Sequence, residues 1–97
     1  VGANITWRTI SDYGRRDANM EVRCRCGNKG VLDARKVDRW FMLHGWNTAL
    51  EVVPQHLRCR FCRKRPIKIS PTPAIPDRPE WMRDERKWKE LARRQRG

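Results

Sequence analysis

The chain has 97 residues, 38% of them hydrophobic, and 23 Lys and Arg against 11 Asp and Glu give a formal net charge of +12. That length and polarity exclude more than one small domain with appendages, and so small a core is expected to need a staple such as a structural metal. No run of about 18 or more apolar residues occurs, and the N-terminal stretch lacks the sections of a secretory signal, so a cytoplasmic protein without a membrane role is expected. The basic excess favours an acidic partner, most commonly nucleic acid.

Residues 1–19 read as an N-terminal lead, in which Ser11 is placed to cap one turn through Tyr13 and Arg16 while Trp7 and Ile10 fold back on the domain. Residues 20–70 form the cysteine-bounded domain. Met20-Glu21-Val22-Arg23-Cys24 alternates apolar and polar side chains, and Gly30-Val31-Leu32 leaves the first cysteine pair, which predicts a short hairpin. Asp33 then caps a helix over Ala34–His44, because Val37, Trp40, Phe41 and His44 recur at helical spacing and Gly45 stands as terminator. His44 lies on the apolar face and reads as a packed histidine. Thr48 to Glu51 has capping-box spacing, with Pro54 limiting any helix begun there to about one or two turns. Gln55 to Arg58 and Pro66 to Ser70 are expected as strands flanking the second cysteine pair.

Residues 71–79 lie in a stretch that holds four of the six prolines and read as a semi-rigid spacer. Residues 80–97 come next as a basic amphipathic helix, with Asp77 as N-cap and Glu80 three residues later. Glu85 to Lys89 and Glu90 to Arg94 are favourable pairs four residues apart. Trp81, Trp88 and Leu91 mark a narrow apolar stripe, which either packs back on the domain or docks in the groove of a protein partner.

The cysteines fall as Cys24-Arg25-Cys26-Gly27 and Cys59-Arg60-Phe61-Cys62, a CxC and a CxxC separated by 32 residues. Tetrahedral zinc takes four soft ligands, and two tight turns offering two thiolates each supply them, so one structural Zn²⁺ on Cys24, Cys26, Cys59 and Cys62 is expected. Four buried thiols or two disulfides are the bland alternative, and His56 is a rival ligand for one of the CxC pair. A redox CxxC would sit in a thioredoxin-like βαβ context, which is missing around Cys59 and Cys62. Gly27 stands where such a turn often needs positive φ, whereas Arg63 occupies the corresponding place after the second pair. Nearby Arg23, Arg25, Lys29, Arg58, Arg60 and Arg63 favour thiolates and metal capture, and some of them balance the cluster's charge.

Residues 56–70 carry six cations and no acid: Arg58, Arg60, Arg63, Lys64, Arg65 and Lys68. They are the expected phosphate contacts of a nucleic-acid-binding module. Trp46 or Phe61, if exposed, would stack on unpaired bases; both also fit as core residues. The other reading is a protein-interaction adaptor or inhibitor that docks through the zinc domain and the Trp-containing helix. No order of Ser, His, Asp or Cys suggests a catalytic constellation and no glycine-rich phosphate loop is present, so neither enzymatic activity nor a small-molecule substrate is expected.

Ser11-Asp12-Tyr13, Val22 through Gly27, Val31-Leu32-Asp33-Ala34, His44-Gly45-Trp46 and Leu57 through Cys62 together resemble the small zinc-ribbon proteins of alphaproteobacteria and their phages, over about residues 10–70. The resemblance implies a two-knuckle zinc fold with a helical insert and the four cysteines as ligands; it implies little about activity and does not reach the tail. The expected architecture is a small α+β, zinc-ribbon-like two-knuckle domain with short β-hairpins, a helical insert and a C-terminal helix after a Pro-rich spacer.

Overall fold

The computed structural model describes residues 7–96. It is a small α+β structure in which a three-stranded antiparallel sheet, ordered β2-β1-β3, lies beside helices α1 and α2. β1 (Asn19–Arg23) is the central strand, pairing on one side with β2 (Lys29–Leu32) and on the other with β3 (Lys68–Thr72). The hairpin read from the alternation of residues 20–24 is therefore present, with Met20 opposite Leu32 and Arg23 opposite Lys29.

Helix α2 (Ala34–His44) has the limits its sequence predicts. The Asp33 side chain accepts from the backbone N–H groups of Arg35 and Lys36, and Gly45 ends the helix at φ 69°. Asp33 thus satisfies two of the orphan donors of the first turn, and glycine takes the left-handed conformation without a Cβ penalty. Helix α1 (Ile10–Arg15) is also where a turn was expected, but its cap differs. Thr9, not Ser11, is the N-cap; the Asp12 carboxylate accepts from the backbone N–H groups of Thr9 and Arg8, at 3.0 and 2.9 Å. Those bonds, together with Arg15 and Arg16, hold Asp12 below the ordinary carboxylate range. Ser11 instead points across to α2, donating to Asp38 at 3.2 Å.

These elements enclose one core of Ile10, Tyr13, Met20, Ala34, Val37, Phe41 and Val53. Trp7 folds onto it as expected, edge-on to Tyr13 with centroids 5.1 Å apart. Val53 comes from a 3-10 turn, Val53–His56, that corrects two expectations. Pro54 sits in its first turn, where a missing N–H costs nothing, rather than ending a helix begun at Thr48. Gln55 to Arg58 is accordingly no strand.

The second cysteine pair has no hairpin of its own. The strand expected over Pro66–Ser70 starts later and runs to Thr72, and its partner is β1. Residues 71 and 72 of the expected spacer thus belong to the sheet. Pro71 is tolerated because β3 is an edge strand, where a residue without an N–H need not break the ladder.

Further along the proline-rich segment, Asp77 reaches the opposite edge of the sheet. It donates its backbone N–H to the Val31 carbonyl and accepts the Val31 N–H with its side-chain carboxylate, so it is fastened to the β2 edge instead of capping a helix. Gly30 leaves room for this approach, since a Cβ there would lie 3.2 Å from the Asp77 carboxylate. Chain direction then turns through Met82 at φ 54°, which interrupts the helix expected from Trp81. Helix α3 (Glu85–Arg96) begins after Asp84, whose side chain accepts from the Arg86 N–H.

Helix α3 docks on α2. Trp88 is 4% exposed, the Arg39 guanidinium lies 4.5 Å from its ring centroid, and Arg39 also forks onto Glu85 at 3.1 and 3.3 Å. Arg39, rather than Lys89, is the close partner that lowers the Glu85 carboxyl below its ordinary value. Trp81 continues the contact, 5.8 Å from Trp40 and 6.3 Å from Trp88. Of the two roles open to the stripe, packing on its own domain is the one the fold displays: Trp88 is buried, and Trp81 and Leu91 are half-buried.

Candidate metal centre and its cationic surround

The four cysteines, far apart in sequence, meet at one end of the sheet. Their sulfurs lie within 4.8 Å of one another, with Cys24 to Cys62 at 3.2 Å and Cys26 to Cys59 at 3.7 Å. All four are free thiols, and the cluster can hold one metal ion. Two different turns deliver them. The first closes the β1–β2 hairpin: Cys24 donates its N–H to the Asn28 carbonyl, and Gly27 donates to the Cys24 carbonyl at φ 95°. In the second, Cys59 donates to the Lys64 carbonyl and Arg63 donates to the Cys59 carbonyl, with Arg63 at φ 66°. Glycine accepts that half of backbone space freely, whereas an arginine there is strained by about 1–2 kcal/mol.

Backbone and amide donors aim at the sulfurs. Asn28, a residue to which the sequence pattern drew no attention, gives both its backbone N–H and its side-chain amide to Cys26, the latter at 3.1 Å, and brings that thiol down to about 6. Cys59 is lowered by the backbone N–H groups of Cys62 and Phe61. Cys24 receives the Cys26 N–H, but its contact with the Cys62 sulfur and its burial outweigh that and carry it up to about 12. The pattern is that of several thiols crowded together, of which those with the best donors ionise first. An asparagine two residues after a cysteine, inside a turn, was the available signal for Asn28.

His56, the rival ligand, is engaged elsewhere. It stacks on Trp46 at 4.1 Å, and His44 stacks on the same indole at 4.1 Å while bonding through Nδ1 to the Trp40 carbonyl. Trp46 is therefore dressed by imidazoles and packed against Trp40 and Phe41. Phe61 is the opposite case: it stands 63% exposed at the tip of the second knuckle, with the Arg60 guanidinium 5.3 Å from its centroid.

The cations expected to act together are divided by the fold. Arg58, Arg63, Lys64 and Arg65 gather around a concave basin of about 410 Å³, joined by Arg25 from the first knuckle. No acidic side chain lines it, and among the described residues none of the five takes part in an ion pair. Arg60 belongs instead to a neighbouring, larger cleft of about 460 Å³. Lys68 lies on β3 opposite Arg23 and is not among the residues that line the basin. No described helix is long and apolar enough to cross a membrane.

Comparison with protein-family models, with curated proteins and with solved structures found no match to this chain.

Proposed function

We propose that the chain is a zinc-stapled, non-catalytic nucleic-acid-binding module of the two-knuckle, zinc-ribbon-like kind. The observation that carries this reading is the basin of Arg25, Arg58, Arg63, Lys64 and Arg65, unpaired and without an acid, spanning both knuckles. The metal would set its shape, because those five side chains flank the cysteine ligands. Zinc fits the donor set: four soft sulfur ligands at about 2.3 Å around a tetrahedral ion lie about 3.8 Å from one another, and Cys24–Cys62 at 3.2 Å, Cys26–Cys59 at 3.7 Å and a span of at most 4.8 Å for all four sulfurs surround that value. Four thiolates around Zn²⁺ also carry a net double negative charge, which cannot neutralise five flanking cations, so positive charge is left for phosphates.

The adaptor reading draws less support, since Trp88 spends its apolar face on α2. The test is a fluorescence anisotropy titration of the zinc-loaded protein against labelled single-stranded and duplex oligonucleotides at several salt concentrations. Affinity should fall steeply with salt, and the triple replacement Arg25→Ala, Arg63→Ala, Lys64→Ala should flatten the logarithmic slope by about 2, each phosphate contact on a single strand contributing about 0.7. Unchanged slope and affinity in that variant, with full zinc content, would sink the reading.

A further inference from the structure

Beside the cationic basin lies the larger cleft, bounded by the β1–β2 hairpin, α2, the second knuckle and the segment after β3. Its walls are mainly apolar, with Leu32, Val37, Trp40, Leu57, Phe61 and Trp81 among them. Cations stand along it, including Arg58, Arg60 and Arg78. Two carboxylates also line it, but each is engaged by backbone: Asp33 by the N–H groups of Arg35 and Lys36, Asp77 by that of Val31. Asn28, whose amide is given to Cys26, and His56 are further polar residues of the lining. Arg58 lines both cavities, so the basin and the cleft adjoin at its side chain.

From this adjacency we infer that the cleft receives an unpaired nucleobase of a single strand whose phosphates lie in the Arg25, Arg58, Arg63, Lys64, Arg65 basin. The inference rests on the nucleic-acid reading above and deepens it. A nucleobase is flat, with apolar faces and a polar edge, and it arrives tethered to an anion; the cleft offers apolar aromatic walls, a few polar groups and a cationic border. A base held in a duplex cannot enter, because both its faces are stacked and its edge is paired. Base stacking supplies a reason for exposing a large ring beside that border: Phe61, with Arg60 close to its ring, forms a wall on which an entering base stacks. An apolar anchor from an acidic protein is the competing occupant, and it would need no base.

The experiment compares three probes on the zinc-loaded chain at one salt concentration: a 12-nucleotide oligo(dT), an abasic 12-mer with the same phosphates, and the oligo(dT)·oligo(dA) duplex. Oligo(dT) should bind about tenfold or more tightly than the abasic strand, within what one base stacked on an aromatic ring contributes. It should also outcompete the duplex and quench tryptophan emission, since Trp40 and Trp81 line the cleft, whereas the abasic strand should not quench. Phe61→Leu should weaken oligo(dT) about tenfold while leaving abasic-strand affinity and zinc content unchanged. Equal affinity for intact and abasic strands, equal or tighter binding of the duplex, or an oligo(dT) affinity indifferent to Phe61→Leu would each overturn the cleft assignment and leave the basin standing. Failure of all three probes to bind would overturn both.

Discussion

Two regions of this molecule, which meet at the larger cleft, are held by different means. At one end Trp40, Phe41, Trp46, Trp81 and the imidazoles of His44 and His56 interlock edge-to-face and in stacks, with Trp88 sealing α3 onto the group. At the other, Phe61 is exposed, Arg60, Arg63, Lys64 and Arg65 are exposed, and what draws the chain together is a cluster of sulfurs. The aromatic end is stabilised by area removed from water, the knuckle end would be stabilised by ligation of a metal to its four cysteines, and charge that would be intolerable in the first is retained in the second.

The sharpest way to break this contrast is to remove the metal. Of the seven residues in the central core none is a cysteine ligand, so chelation should release the second knuckle while α1, α2 and the sheet stay packed. Hydrogen exchange should then show amides of residues 57–67 losing protection, near-UV tryptophan signals persisting, and nucleic-acid affinity falling at least tenfold as the basin disperses. Cys59→Ser with Cys62→Ser should reproduce all three effects and lose about one zinc per chain. Loss of the whole fold on chelation would show instead that ligation holds both ends.

The converse perturbation strikes the aromatic end. Phe41 is fully buried and touches Trp40, Trp46 and His56. Phe41→Ala should cost about 3–5 kcal/mol, the usual range for emptying a buried aromatic site. Thermal unfolding should move to much lower temperature, whereas zinc content at low temperature should hold, because the rings that Phe41 touches include none of the four cysteines. If zinc were lost together with the ring, the two ends would be one cooperative unit.

The contrast also explains which parts could be read ahead of the structure. Asp33, Gly45 and the spacing of Val37, Trp40 and Phe41 specify α2 locally, by a cap, a terminator and an apolar face. The paired cysteines specify their cluster because few other roles require that spacing. Non-local choices were illegible. Nothing in Lys68 to Thr72 states that β1 has a free second edge, and the prolines around it argue for a spacer. Asp77 looks like a helix cap until Val31 competes for it, and only the fold brings the two together. Likewise Arg25, separated by over thirty residues from its companions in the basin, reaches them only where the fold brings the two cysteine turns together.

The smallest effect sharpens the difference between the knuckles themselves. Gly27 at φ 95° and Arg63 at φ 66° stand at matching places, yet only one is the residue the backbone prefers. A Cβ on Gly27 would meet nothing within 4 Å, so Gly27→Ala adds backbone strain alone and should destabilise the metal-bound form by about 1 kcal/mol. Arg63→Gly relieves similar strain, but glycine's greater freedom in the unfolded chain returns part of it, leaving a gain below about 1 kcal/mol. Zinc retention in a competition against a chelator should therefore improve slightly in Arg63→Gly and decline in Gly27→Ala. Nucleic-acid affinity should respond differently: Arg63→Gly removes a basin cation and should lower the single-strand salt slope by about 0.7, while Gly27→Ala removes none. Opposite movement of zinc retention and nucleic-acid affinity in Arg63→Gly identifies a strained arginine kept for its charge; a parallel fall in both would make Arg63 a structural member of the knuckle, held there by packing.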